Sequence, residues 1–444
     1  MSTYAKPFKL VTASLSMLLL SGCLGTKDAG DTSTKMPLVF GTQGDDFARD
    51  VASDSAGVSY VVGETNRNSD TPARMFVSRI EQDGSLGWSL ESTGNTDTYG
   101  ETVSIGGDGN IYVAGFYGKG SAASYMSIGE AKVEAAAGEQ TNLFVAKINP
   151  AGDALWLKSF DSGPLDTARG LAVDAKGAVY VSGDSATESG THAFLRKLDE
   201  QGNTVWLSQF NSPEYASTNS VNVAKNGDLL ITGSFSGAVS MGKEVIKSKG
   251  GYDAFAARIS SDGGVLWARQ LVSSTGNDSG YDIIELTDAS VVVSGYYTGT
   301  AEFAGKTIAS KGGNDAYVAA LSAGGEALRL ETLGGNRDDY AYSMDIKGDN
   351  FVLTGRYTGS LTIGDANLQE KSATGLFITE MTPTLSPLWS LSNPSTGTYY
   401  SYAVSVRPGG SLLVAAYFED DISLDGNVLR SKGMNDAIVY VLKP

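Results

Sequence analysis

Five tryptophans in one recurring setting, β-branched runs bounded by Gly and Asp, and little helical periodicity predict an all-β fold: a single seven-bladed β-propeller of four-stranded antiparallel blades. Trp88, Trp156, Trp206, Trp267 and Trp389 each follow a Gly-containing turn and open a short apolar segment. Arg329 holds this position in the unit that lacks Trp, and Met36 holds it at the start. The marker therefore recurs at intervals of about 50 to 70 residues and divides the chain into seven units.

Each unit reads in the same order. A Gly/Asp/Asn-rich loop follows the Trp segment, then a strand-like run, a tight turn, and a second β-rich run ending in Gly. Leu171 to Asp174, the turn at Gly177, and Val179 to Gly183 show the pattern, as do Val103 to Ile105 with Ile111 to Gly115, and Val221 to Val223 with Leu229 to Gly233. A variable connection leads to a third strand such as Asp253 to Ile259, and the Trp segment is the fourth. Twenty-eight strands exceed what one open sheet or sandwich holds without curling or splitting. Radial repetition of four-stranded sheets protects the edges, so seven sheets make a ring. The chain opens on a lone fourth-strand segment, Met36 to Phe40, and closes on a third strand, Ile438 to Leu442. The N-terminal strand is therefore expected to join the last blade and close the ring, leaving no free edge.

The N-terminus reads as a targeting segment. Lys6 and Lys9 form a basic region, Leu10 to Leu20 an apolar core, and Leu20-Ser21-Gly22-Cys23 closes it. This tetrad resembles a bacterial lipobox, and Cys23 is the single cysteine of the chain. The resemblance implies a signal peptide over residues 1–22, lipidation of Cys23, and a polar tether over residues 23–35 ahead of the propeller at 36–444. Leu24 follows the cysteine where Asp would mark inner-membrane retention, so the resemblance implies a cell-envelope protein on the outer membrane. The partner at that end is the membrane, through the lipid on Cys23.

Three units carry a further motif: Ser248-Lys-Gly-Gly-Tyr-Asp-Ala-Phe255, Ser310-Lys-Gly-Gly-Asn-Asp-Ala-Tyr317 and Ser431-Lys-Gly-Met-Asn-Asp-Ala-Ile438. Following Asp/Gly/Asn strand pairs, they resemble the bacterial seven-bladed β-propeller (SBBP) repeat over residues 36 to 444. The resemblance is closer in units two, four, five and seven than in one, three and six, where the Gly-Gly-x-Asp element is missing. It implies a fold and brings no activity with it.

Composition narrows the chemistry. The chain carries 50 acidic and 33 basic residues, a net charge of −17, and loss of the signal, with two lysines and no acid, leaves about −19. Such a surface repels phosphate backbones, so nucleic acid is not an expected partner. One cysteine gives no disulfide, and one histidine, His192, offers little for a metal or a nucleophile system. His192 precedes Ala193-Phe194 at a strand start, where a packing or surface role is expected. The adjacent-cysteine pair of propeller quinoproteins is impossible here, and no phosphate-cradling glycine fingerprint is present, so no cofactor and no catalytic residue are expected. Asp108-Gly-Asn110 lacks the remaining ligands of a calcium loop and reads as a turn.

Two recurring sets define a candidate binding face. Asp46, Asp97, Asp166, Asp278 and Asp339, with neighbouring Asp45 and Asp338, fall in the loops that enter successive units. A propeller would place them on one face near the central channel, where they would bind a cation or basic partner, act as an acid/base pair on a glycan, or simply cap turns. Tyr117, Tyr297 and Tyr357, with Phe235 and Phe418, recur just past the second-strand glycine. They would either stack a sugar or hot-spot residue or fill the packing between blades. The longest connection, Gly118 to Thr141, is expected beside the channel mouth. The leading expectation is a monomeric, lipid-anchored, non-enzymatic binding or scaffolding module with a protein or glycan partner. The alternatives are a glycan-binding or glycan-cleaving protein using the acids and aromatics, and an outer-membrane assembly factor.

Overall fold

Runs of β-branched and aromatic residues broken by Gly-containing turns fold as strands throughout. The computed structural model describes residues 37–118, 123–135, 141–160, 165–369, 374–392, 397–424 and 427–443. Among these residues there is no α-helix, and one 3-10 turn, Pro408–Gly410, is the single helical element. The expected signal segment, Cys23 and the expected tether lie outside the described residues.

The strands form antiparallel meanders of four. Asp45–Ser53, Ser59–Arg67, Arg74–Ile80 and Leu86–Glu91 pair in that order, and the pattern repeats in units that begin at Thr98–Ile105, Leu165–Val173, Tyr215–Val223, Ser279–Glu285, Asp339–Lys347 and Tyr399–Val406. The last unit has three strands from the C-terminal part of the chain. Its fourth is Leu38–Phe40, antiparallel to the final strand with Leu38 opposite Val439 and Phe40 opposite Ala437. Hydrogen bonding also runs between units. Single parallel pairs, Thr141 with Leu165 and Thr191 with Tyr215, link units two to four into one 12-stranded sheet. The architecture is thus all-β, multi-sheet and propeller-like.

The first strand of each unit lies beside the first strand of the next, and that of unit seven lies beside that of unit one. The apolar core follows the same order. One cluster joins Val62, Met75 and Val77 of unit one to Val113, Phe144 and Ala146 of unit two. Corresponding clusters join each later pair of units, and one joins Leu413 and Ala415 of unit seven to Val61 and Phe76 of unit one. Each sheet covers its apolar faces with the sheets on either side of it.

The recurring tryptophans fasten this order at the outer strands. The indole Nε1 of Trp88 donates to the Pro150 carbonyl at 3.0 Å, Trp156 to Glu200 at 3.0 Å, Trp206 to Ser261 at 3.3 Å and Trp267 to Ala323 at 3.0 Å. In each case the acceptor belongs to the turn of the following unit. Its glycine, Gly152, Gly202, Gly263 or Gly325, has positive φ and lies against the indole, so a Cβ there would meet the ring within 2.7 to 3.3 Å. Glycine meets both demands, the left-handed backbone and the close approach. Arg329 breaks the series, and the turn of the next unit carries Leu385 at φ 63° in place of glycine. Trp389 turns to its own unit, donating to the Glu380 carboxylate at 2.7 Å.

The long connection of unit two is placed differently from expectation. Its described part is a hairpin, Ser124–Ile128 with Ala131–Ala135, paired to Thr93–Gly94. Units four and six carry matching hairpins, Ala238–Met241 with Glu244–Lys247 and Ser360–Ile363 with Ala366–Gln369. Met126 and Ile128 are buried in the cluster between units one and two, which holds the hairpin over the sheet and away from the central cavity.

Candidate site at the mouth of the central cavity

The predicted loop carboxylates are turned into the protein. Asp46 is buried and accepts from the backbone N–H of Thr42 at 2.6 Å and of Asn66 at 3.0 Å. Asp278 accepts from the N–H groups of Ser274 and Thr298 at 2.6 and 2.9 Å, and Asp339 from Gly335 at 2.7 Å. Asp97 accepts from the Ala73 N–H at 2.9 Å, and Asp166 is buried at the head of its inner strand. These are turn and loop caps. Burial pushes Asp46 up to about 7 against its hydrogen bonds, with the charge of Asp436 adding to the rise. Asp278, near Asp253, reaches about 7, and Asp339, near Asp315, about 8, in both cases with burial as the main cause. Each loop carboxylate of this group thus faces the Asp of the preceding unit's Ser-Lys-Gly motif.

Tyr117, Tyr297 and Tyr357 are fully buried in the clusters between units. The Tyr117 hydroxyl shares a hydrogen bond with Ser159 at 2.8 Å, and Tyr297 donates to the Ala309 carbonyl at 3.2 Å. None of the eight predicted side chains lines the central cavity. His192 is buried too. Its Nε2 is hydrogen-bonded to Thr187 and Ser189 at 3.0 Å and its Nδ1 accepts the Ser212 N–H at 3.3 Å, which pins a hairpin turn.

A cavity of about 410 Å³ lies on the axis and is lined from all seven inner strands. Each inner strand carries a β-bulge whose extra residue reaches this cavity, Arg49, Glu101, Arg169, Asn219, Tyr281, Tyr342 and Tyr402, and the strand of unit one has a second irregularity between Asp45 and Phe47. The local cause is visible in the sequence. In six units a glycine of the second strand lies opposite the bulge, and a Cβ there would sit 1.9 Å from an inner-strand carbonyl oxygen, as at Gly63 against Phe47 and Gly295 against Ser279. A bulge re-aims one side chain out of the strand's alternation, and seven of them converge on one layer.

That layer is divided into two halves. Tyr281, Tyr342 and Tyr402 form a contiguous row with centroids 5.1 and 6.0 Å apart, and the Arg49 guanidinium lies 4.8 Å from the Tyr402 ring. On the other half, Arg49 and Arg169 flank Glu101. Burial works to lower the pKa of both arginines, and nearby acids, Glu64 for Arg49, Asp184 for Arg169 and Glu101 for both, override it and hold the charge.

A second tier above it comes from one cross-strand pair per unit, next to the bulge. In chain order these are Phe47/Glu64, Tyr99/Phe116, Thr167/Asp184, Ser217/Ser234, Ser279/Tyr296, Tyr340/Arg356 and Tyr400/Tyr417. Units five, six, seven, one and two give an aromatic wall, whereas units three and four give short polar side chains. Rings touch along the wall: Tyr296 and Tyr340 at 5.0 Å, Tyr400 and Tyr417 stacked at 4.7 Å, Phe47 edge-on to Tyr417 at 4.9 Å, and Tyr99 and Phe116 at 4.7 Å. Arg49 pairs with Glu64 at 2.5 Å and Arg169 with Asp184 at 2.5 Å.

Deeper in the cavity, Asp50, Asp282 and Asp345 tie one inner strand to the next. Asp50 accepts the Val103 N–H at 2.9 Å, Asp282 the Met344 N–H at 2.7 Å, and Asp345 the Val406 N–H at 2.6 Å. Burial raises all three, Asp50 and Asp345 to about 6. Among the described residues, no group of three His, Cys, Asp or Glu is arranged to hold a metal ion.

Fold and site together define an all-β, propeller-like protein with one polar and aromatic cavity on its axis. No protein-family profile matches the chain, and no curated protein matches it. Among solved structures it is similar to Sqt1 from Chaetomium thermophilum, at 11% identity and TM-score 0.47 over 92% of this chain and 98% of that one. It is likewise similar to the periplasmic gluconolactonase PpgL of Pseudomonas aeruginosa, at 11% identity and TM-score 0.47 over 87% and 99%. Drosophila Plexin A, in complex with Semaphorin 1b, is similar at 9% identity and TM-score 0.43 over 92% and 88%.

Proposed function

We propose that the protein is a lipid-anchored binding module of the bacterial cell envelope, built as a single closed seven-bladed propeller whose cavity mouth seats the ligand. The convergence of seven bulged side chains from seven inner strands on one layer carries this reading. Such a layer pre-organises a polar and aromatic surface on rigid strands, which is where a concave ligand site gains orientation at low entropic cost. The carboxylates of the tier above it, Glu64 and Asp184, are engaged by Arg49 and Arg169, so they shape and charge the seat. The reading favours binding over bond cleavage. The anchor belongs to the same proposal: lipidated Cys23 and a polar tether over residues 23–35 would hold the ring off the outer membrane.

Two measurements test the proposal in cells. Labelling with a fatty-acid analogue should mark the wild-type protein and leave Cys23→Ser unmarked; an unlabelled wild type overturns the anchor. Affinity capture of the full-length protein from envelope extracts should retain a ligand that the Tyr342→Ser/Tyr402→Ser double variant loses. Equal recovery by both proteins would move the seat away from the cavity mouth, and capture of nothing by the wild type would overturn the binding role.

A further inference from the structure

We propose that the cavity mouth takes an acidic oligosaccharide, with Arg356 as the anchor for its anionic group and the tyrosine wall as the stacking surface; this rests on the ligand-seat reading above. Arg356 differs from the other arginines of the mouth. Arg49 and Arg169 each hold a carboxylate at 2.5 Å, and Arg67 lies 3.4 Å from Glu64. Arg356 forms no ion pair among the described residues. Its guanidinium is clamped between two rings, 4.4 Å from the centroid of Tyr340 and 5.0 Å from that of Tyr400, and its buried Nε has no hydrogen-bond partner.

A desolvated cation without a counter-charge is costly unless something supplies one, and this one stands in a chain of net charge −17. Stacking fixes the guanidinium plane, and the Tyr340 and Tyr342 phenols that hydrogen-bond it carry no charge, so a bidentate oxyanion would be its first counter-ion. The neighbouring rings present π-faces, whose negative quadrupole attracts the weakly positive C–H face of a pyranose. Opposite the wall, Thr167, Ser217 and Ser234 are short, which leaves width for a sugar ring. An extended peptide would instead need strand N–H groups to pair with, and Asp50, Asp282 and Asp345 already cap such groups on the inner strands.

The test is calorimetric titration of the full-length protein in detergent with oligogalacturonate and oligomannuronate, with maltopentaose as the neutral sugar and hexaglutamate as the acidic non-sugar. An acidic saccharide should bind at least about tenfold more tightly than maltopentaose, Arg356→Gln should remove that preference, and hexaglutamate should not compete. Should Arg356→Gln fail to fold, salt serves in its place: added NaCl should weaken the acidic sugar and spare the neutral one. Equal binding of acidic and neutral sugars, or binding of hexaglutamate alone, overturns the inference. If no sugar binds while envelope capture still depends on Tyr342 and Tyr402, this inference falls and the seat stands; if capture fails as well, both fall.

Discussion

At the scale of single residues, the bulge and the indole clamp divide the work of the repeat. The bulged residue is released from the alternation of its strand, so Arg49, Glu101 and Tyr342 reach the axis while Ala48, Gly100 and Ala341 just before them pack between sheets. The tryptophan does the opposite and binds one unit to the next. Trp267 is the most buried of the five, with its face on Gly325 and its Nε1 on the Ala323 carbonyl. Trp267→Ala should therefore cost about 3 kcal/mol or more in chemical denaturation, and Gly325→Ala should destabilise through both its positive φ and its contact with the ring. Because the two side chains touch, the double variant should lose less than the sum of the singles; strict additivity would contradict the clamp. The tryptophans were legible in the sequence as a register marker, though not their partners. The aromatic sites were missed by one position. Tyr297 and Tyr357 were marked, and the residues of the tier above the cavity are Tyr296 and Arg356 immediately before them, because a shift of one residue along a strand exchanges its two faces. The small residue before each bulge and the glycine opposite it are the signals that would have located the bulges.

At the scale of elements, loops and hairpins show where spacing alone could not assign a role. Recurring Asp residues were expected in the inter-unit loops and stand at the entry to the inner strands, Asp46, Asp166 and Asp339 within the strands and Asp97 and Asp278 just before them, and spacing carries no information on whether a carboxylate faces water or its own backbone. Asp46, Asp278 and Asp339 face backbone N–H groups, and this arrangement has a consequence for pH. Their pKa values are about 7, 7 and 8 in the folded chain against 3.8 when unperturbed. As pH rises above 4 the unfolded chain sheds these protons first, so the stabilisation they give is full at acid pH and is lost up to about pH 8. Unfolding temperature should accordingly fall between pH 5.5 and 8.5, and Asp339→Asn should flatten part of that slope. A rise in stability over the same interval, or a slope unchanged in Asp339→Asn, would rule out the buried-acid account. The hairpin of unit two was expected at the channel because it is the longest connection. Its apolar residues decide otherwise, since Met126 and Ile128 gain burial only against the sheets.

At the scale of the whole molecule, the order of strands along the chain was enough to predict which ends meet. Among the described residues the first strand, Leu38–Phe40, pairs as a fourth strand with the last one, which ends at Leu442. Side-chain contacts cross the same seam. Arg407 of unit seven donates through Nη2 to the Gly57, Glu81 and Gln82 carbonyls of unit one. What the repeat could not disclose is the difference between its units, because a periodic pattern specifies the scaffold and leaves the residues at the axis unconstrained. The cavity gets its aromatic and charged halves from that variation. The claim beneath the whole account is that one ring closes and so brings seven inner strands to one axis. Val39 lies opposite Ile438 across the seam, and both pack into one apolar cluster. In a Cys23→Ser background, the Val39→Cys/Ile438→Cys variant should form an intramolecular disulfide on mild oxidation, seen as a fast-migrating monomer on a non-reducing gel. Two free thiols, or a disulfide found only between chains, would show that the ends do not meet within one molecule.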